Sequence, residues 1–254
     1  MGRAFELRKE VELEASPEQV WEAIATGPGV DSWFMGRNVV EPGEGGIVRL
    51  TLGGQSQENT VTAWEPGKRL AHRGAEPDDG SFMAIEYLLE GRDGGGTVLR
   101  MVQSGVLGDD WETEYEAMKT GWDMYLHKLV QYLTYFPGRS ATPVFAIRQQ
   151  GTDPERAWEA FTRELGLSGT VAEGDKARIT LDGSDPVGGE VEGVVDYVDH
   201  PIFLGVRTPD ALYRFIHSGP ARGNVVVLGH HLFFDADQHK AEASWQSWLD
   251  AVLT

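Results

Sequence analysis

From Phe5 to Ala15 the chain alternates. Phe5, Leu7, Val11 and Leu13 share one face with Lys9, and charges fill the other. Period two marks a half-buried strand. Ser16-Pro17-Glu18 then gives an N-cap, a proline at the first helical position and an acidic first turn, followed by the apolar stripe Val20, Trp21 and Ile24. Pro28 to Phe34 reads as a break and a short second helix. Alternating runs follow at 47–52, 60–64, 69–72, 83–89 and 97–102, divided by turn residues such as Asp93-Gly94-Gly95-Gly96. Strands so closely spaced, without helices between them, predict an antiparallel sheet. The period then changes. Trp111, Tyr115, Met118, Trp122, Tyr125, Leu129, Tyr132 and Phe136 recur every three or four residues. They predict one helix of about 26 residues, or ~39 Å, with a broad aromatic face. Asp109 or Asp110 is placed to cap it. Gly121 lies inside it at a propensity cost of ~1 kcal/mol, which a close approach to the sheet or to a ligand would explain.

The pattern occurs twice. Ser16-Pro17-Glu18-Gln19-Val20-Trp21-Glu22-Ala23-Ile24 returns as Asp153-Pro154-Glu155-Arg156-Ala157-Trp158-Glu159-Ala160-Phe161, at an offset of 153 − 16 = 137. Gly121-Trp122 through Leu126 returns as Ser244-Trp245 through Leu249, at an offset of 244 − 121 = 123, so the second copy is shorter. A looser match joins Val61-Thr62-Ala63-Trp64 to Val194-Val195-Asp196-Tyr197. Three landmarks in one order indicate a repeat. The Pro/Gly/Ser stretch from Phe136 to Pro143 separates the copies, giving domains at 1–137 and 143–254. In the second copy strands are expected at 145–150, 169–173, 176–181, 190–198, 202–206, 212–217 and 224–234. A last helix is expected over 238–252. A second short helix is not evident there.

Composition removes several chemistries. The chain of 254 residues has no cysteine, which excludes disulfides, thiolate metal sites and a cysteine nucleophile. The net charge of −18 is spread over both copies. Such a surface repels nucleic acid and anionic membranes. No apolar run is long enough to span a bilayer, and the N-terminus lacks a signal-peptide core. Cytoplasmic residence without membrane insertion is the expectation. No Gly-rich phosphate loop, His-Glu-x-x-His or Gly-x-Ser-x-Gly occurs, so no cofactor is implied. The residues around His239, Asp235 and Asp237 show no diagnostic metal spacing.

Ser16-Pro17-Glu18-Gln19-Val20-Trp21, Trp33-Phe34, Trp64-Glu65-Pro66-Gly67-Lys68-Arg69-Leu70 and Gly121-Trp122…Leu126…Leu129 resemble the branch of the START/Bet v 1-like (SRPBCC) superfamily named after the activator of Hsp90 ATPase. The resemblance covers most of residues 5–136 and, more loosely, 144–254. It implies an α+β helix-grip fold in two tandem copies, each a curved antiparallel sheet around a long C-terminal helix. It implies an intramolecular pseudo-dimer, with further homodimerisation open. It also implies a cavity between sheet and helix that often holds a hydrophobic small molecule.

The candidate ligand-binding residues follow from this reading. Trp111, Tyr115, Met118 and Trp122 line the helix face, with core packing as the competing role. Trp33 caps one end of the cavity or packs the short helix. Gln103 shares a face with Leu99 and Met101; facing inward it can meet a carbonyl or hydroxyl, with a place at the strand end as the competing role, while Arg100 takes the other face. In the pair His230-His231 successive side chains point to opposite faces, and His231 is the candidate for the second cavity. Three functions remain. The first is a non-catalytic binding protein for a small apolar or amphipathic molecule. The others are a cyclase/aromatase-like enzyme and an Hsp90 co-chaperone-like interaction protein. The shorter copy could serve as a lid or scaffold.

Overall fold

The computed structural model describes residues 2–75, 80–149, 151–181 and 189–254. It divides into two compact units, residues 1–140 and 141–254. The first runs β1 (Arg3–Leu13), α1 (Pro17–Ala25), α2 (Gly27–Val30), β2 (Arg37–Val40), β3 (Ile47–Leu52), β4 (Gln55–Glu65), β5 (Arg69–Gly74), β6 (Phe82–Gly91), β7 (Thr97–Leu107) and α3 (Trp111–Tyr135). The second runs β8 (Thr142–Arg148), α4 (Pro154–Glu164), β9 (Lys176–Leu181), β10 (Gly189–Asp199), β11 (Phe203–Arg207), β12 (Ala211–His217), β13 (Val226–Leu232) and α5 (Gln238–Val252).

The sheets are antiparallel and ordered β1-β7-β6-β5-β4-β3-β2 and β8-β13-β12-β11-β10-β9. Without β2 the two orders are the same. The helix-grip fold is therefore present twice, and the second copy lacks counterparts of α2 and β2 among the described residues. Both copies also carry a register shift at one place, between Val61 and Ala63 in β4 and between Val195 and Tyr197 in β10. A bulge there bends the sheet, which lets it curve around its helix.

Local chemistry sets the element ends. The Ser16 hydroxyl accepts from the Gln19 N–H, and the Gln19 amide accepts from the Ser16 N–H at 2.9 Å, closing a capping box on α1. Asp153 Oδ1 caps α4 by accepting from the N–H groups of Glu155 and Arg156. Asp110 stands at the N-cap of α3, but its side chain makes no capping bond.

Three expectations change. Residues 169–173 form no strand; they fill part of the connection from α4 to β9. The four residues of β2 carry no useful alternation, yet they pair with β3 from Arg37↔Thr51 to Val40↔Val48. Asp31 holds the entry to β2: its Oδ1 accepts from the Asn38 N–H at 2.6 Å and its Oδ2 from Arg37 Nη1 at 3.1 Å. Gly121 has no close neighbour, because a Cβ built there meets nothing within 4 Å. Of the strand read over 145–150, Gln150 lies outside the described residues.

Gly121→Ala should therefore stabilise the protein by about 0.5–1 kcal/mol, the helical propensity difference, read as a higher urea midpoint. A lower midpoint would show that the space is needed for folding.

Candidate functional site: the interior of the first unit

Strand register decides which residues face α3. Leu7↔Gln103, Gln103↔Ile85, Ile85↔His72 and His72↔Val61 form one row across β1, β7, β6, β5 and β4. The next row holds Lys9, Met101, Tyr87 and Leu70. A third holds Phe5, Gly105 and Met83, beside Gly74, Asn59 and Val48. Leu50 and Leu52 continue this face on β3 by alternation.

Trp122 marks the centre. It is buried, and its Nε1–H donates to Gln103 Oε1 at 2.6 Å. Gln103 Nε2 donates to Met83 Sδ at 3.2 Å. Phe34 stacks on Trp122 at 5.6 Å and meets Tyr125 at 4.7 Å, while Tyr87 meets Trp122 edge-on at 6.4 Å. Phe34 is held in place because its neighbour Trp33 turns the other way and donates Nε1–H to Ala23 O at 2.9 Å.

Beyond this cluster the concave face is incompletely filled. Val48, Leu50, Leu52 and Ile85 point inward yet are only half-buried, and Met83 is 37% exposed. Two positions of the third row, Gly105 and Gly74, have no side chain. Helix α3 packs on β1 and α1, toward one side of the sheet. Tyr125 is half-buried, but burial raises its hydroxyl pKa well above the ordinary value. Tyr87 is buried, and its pKa is raised for the same reason. Among the described residues neither hydroxyl has a hydrogen-bond partner.

A third polar group joins them. Asn59 Nδ2 lies 2.9 Å from His72 Nδ1. An amide nitrogen only donates, so Nδ1 accepts and Nε2 carries the proton. Burial lowers the His72 pKa from 6.5 to about 4, so the ring is neutral at pH 7. On β1, the inward Lys9 is bound to Asp123 Oδ1 at 2.5 Å.

Of the sequence candidates, the structure joins Gln103 and Trp122. Tyr115 meets Phe5 at 6.3 Å, Arg3 lies over Trp111 at 3.7 Å, and Met118 is half-buried on the same helix. Trp33 packs on α1, and Phe34 takes the inward place. Arg100 lies on the exposed face and pairs with Glu10 at 2.7 Å and Glu90 at 2.6 Å. Tyr87, Tyr125 and His72 were not among the candidates. Only the alternation of β6 and the period of α3 signal the first two.

The second unit uses the same frame differently. An offset of 137 carries Leu7 to Val144, and Val144 pairs with His230. His230 thus occupies the place of Gln103, and its ring lies 4.1 Å from Trp245, the counterpart of Trp122. His230 is the histidine inside this unit. His231 pairs with Leu212 on the opposite face, so the placement of His231 in the second cavity is corrected. His230 Nδ1 accepts from the Arg214 N–H at 3.1 Å. On the same face as His231, Arg214 and Asp196 form a buried two-point ion pair at 2.9 and 2.7 Å. A Cβ on Gly205 would lie 2.7 Å from both, so only glycine fits between them. The interior is packed. Ala177, Ile179 and Leu181 of β9 are buried, unlike their half-buried counterparts on β3, and Phe161, Phe215, Trp245 and Trp248 fill the centre. An open groove of about 670 Å³ borders this core, lined by Leu165, Ala177, Arg178, Glu192 and Arg207. The described residues contain no cluster able to hold a metal and no helix long and apolar enough to cross a membrane.

Residues 14–134 match the model of the family described as activator of Hsp90 ATPase homolog 1-like protein. The match lies within the first unit. Similar solved structures include protein MLL2253 from Mesorhizobium loti, 26% identical over 52% of this chain and 98% of that one, with a TM-score of 0.46. DynU16, a putative protein in the dynemicin biosynthetic locus, is 19% identical over 97% of this chain and 96% of its own, with a TM-score of 0.44. The Aha1 dimer from Colwellia psychrerythraea is 22% identical over 51% and 96%, with a TM-score of 0.44. No curated protein matches the chain.

Two predictions follow from the hydrogen bonds of this domain. Gln103→Leu strands a buried indole N–H and should cost about 1–3 kcal/mol, whereas Tyr87→Phe loses no protein hydrogen bond and should change stability by less than about 1 kcal/mol. Equal losses in urea denaturation would contradict this. For His72 the folded pKa lies below the unfolded one, so its contribution is complete above pH 6.5 and is lost as pH falls toward about 4. The loss is of order 3 kcal/mol. His72→Gln should flatten the stability profile in that window; an unaltered slope would count against a buried neutral ring.

Proposed function

We propose that the activator-like first unit binds a small, largely apolar molecule between its sheet and α3, and that the second unit is a packed scaffold. The supporting observation is the contrast at one place in one fold. Val48, Leu50 and Leu52 on β3 are half-buried, whereas Ala177, Ile179 and Leu181 on β9 are buried. Apolar surface left open inside a domain is surface that a ligand can bury, at roughly 25 cal/mol per Å².

Binding is favoured over catalysis by the state of the polar groups. His72 is neutral and presents a donor, and both tyrosines hold their protons. General acid–base work needs a group whose pKa lies near the working pH, and burial has moved all three away from it. The cyclase-like reading is therefore second. A co-chaperone role rests on the family's description alone.

The test is a titration of the whole protein with naphthalene, following the tryptophan indole N–H signals by NMR, with Trp122 and Trp245 assigned from Phe variants. The Trp122 signal should shift and saturate while that of Trp245 stays fixed. A shift confined to Trp245, or none at either, would contradict the assignment of the site.

A further inference from the structure

Three polar groups here can donate a hydrogen bond to a ligand, His72 Nε2 and the Tyr87 and Tyr125 hydroxyls, whereas the acceptor beside them, Asn59 Oδ1, is fully buried without a partner among the described residues. His72 Nε2 makes no hydrogen bond within the described residues. With Nδ1 accepting from Asn59, Nε2 is a donor. The Tyr87 and Tyr125 hydroxyls are protonated and have no protein partner among the described residues. His72 and Tyr87 stand on neighbouring strands, one residue pair apart: His72 faces Ile85, and Tyr87 faces Leu70. Such diagonal neighbours are about 7–8 Å apart between backbones, so long side chains can reach one ligand group. Tyr125 approaches from the helix, at 6.5 Å from Trp122, with which Tyr87 is also in contact. The charges nearby are engaged. Lys9 is bound to Asp123, and the Lys128 ammonium lies over the Tyr125 ring at 5.0 Å from its centroid.

We infer that this site selects an uncharged ligand bearing a hydrogen-bond-accepting oxygen, such as a ketone, ester or quinone, on an apolar frame. This rests on the binding reading above and adds the chemistry of the ligand's polar end. The reason is the asymmetry of burial. A neutral carbonyl that leaves water regains its hydrogen bonds from donors already fixed in place. A carboxylate or ammonium gives up far more hydration, and neutral donors alone do not balance it. The free donors also gain, because each is already removed from bulk water.

Three probes of matched shape test this against the full chain by equilibrium dialysis: 2-acetylnaphthalene, 2-ethylnaphthalene and 2-naphthoate. The ketone should bind at least tenfold more tightly than the hydrocarbon or the carboxylate, the effect of one or two net hydrogen bonds. In the double variant Tyr87→Phe/Tyr125→Phe the ketone-to-hydrocarbon ratio should fall toward one. Circular dichroism and the urea midpoint confirm that this variant is folded. Equal binding of ketone and hydrocarbon would overturn the inference and leave the apolar site standing. Tightest binding of the carboxylate would also overturn it, and would assign the chamber to anions. If none of the three binds, the binding reading itself falls and the inference falls with it.

Discussion

The hydrogen bond from Trp122 to Gln103 joins the helix of the first unit to its sheet. A curved sheet and an aromatic helix can pack at many offsets, because apolar contact is not directional. A buried indole N–H is directional, and leaving it unpaired is costly. Gln103 fixes where α3 crosses β7, and Phe34, Tyr87 and Tyr125 assemble around the ring so placed. With α3 held toward β1, the inward side chains of β3 and the start of β6 are left without a covering layer. On the proposed reading, the ligand site lies where this anchoring leaves the inner face of β3 half-buried.

The second unit shows the same anchor altered. His230 replaces Gln103 and meets Trp245 ring to ring, while its Nδ1 accepts from the Arg214 backbone. The strand ladder is interrupted there, between the pairs Leu212↔His231 and Phe215↔Leu228. Aromatic rings close in around the histidine, and the inner face of β9 is buried. The same frame therefore carries a half-buried inner face on β3 and a buried one on β9, with an amide exchanged for an imidazole at the anchor.

Much of this was legible in the sequence. The capped helices α1 and α4, the long α3 and most strands announce themselves through periodicity and cap residues, which are local signals. The alternation of β7 put Gln103 and Arg100 on opposite faces, and the register with β1 and β6 decides that Gln103 is the inward one. What the sequence could not show depends on partners distant along the chain. β2 is too short to alternate and exists because β3 pairs with it. Trp33 and Phe34 are adjacent aromatic residues, and only the bond from Trp33 to Ala23 O decides which turns inward. His230 and His231 have opposite roles that depend on the register of β13 with β8. The unpartnered hydroxyls of Tyr87 and Tyr125 are properties of the packed interior and leave no mark in composition.

Xenon gives the most direct test of the central claim, since it enters apolar cavities without needing a polar partner. Crystals of the protein would be pressurised with xenon and the atoms located by anomalous scattering. The account predicts xenon in the first unit among Leu50, Ile85 and Tyr125, and none among Phe161, Phe215 and Trp245 in the second. Xenon in the second interior, or in neither, would contradict it.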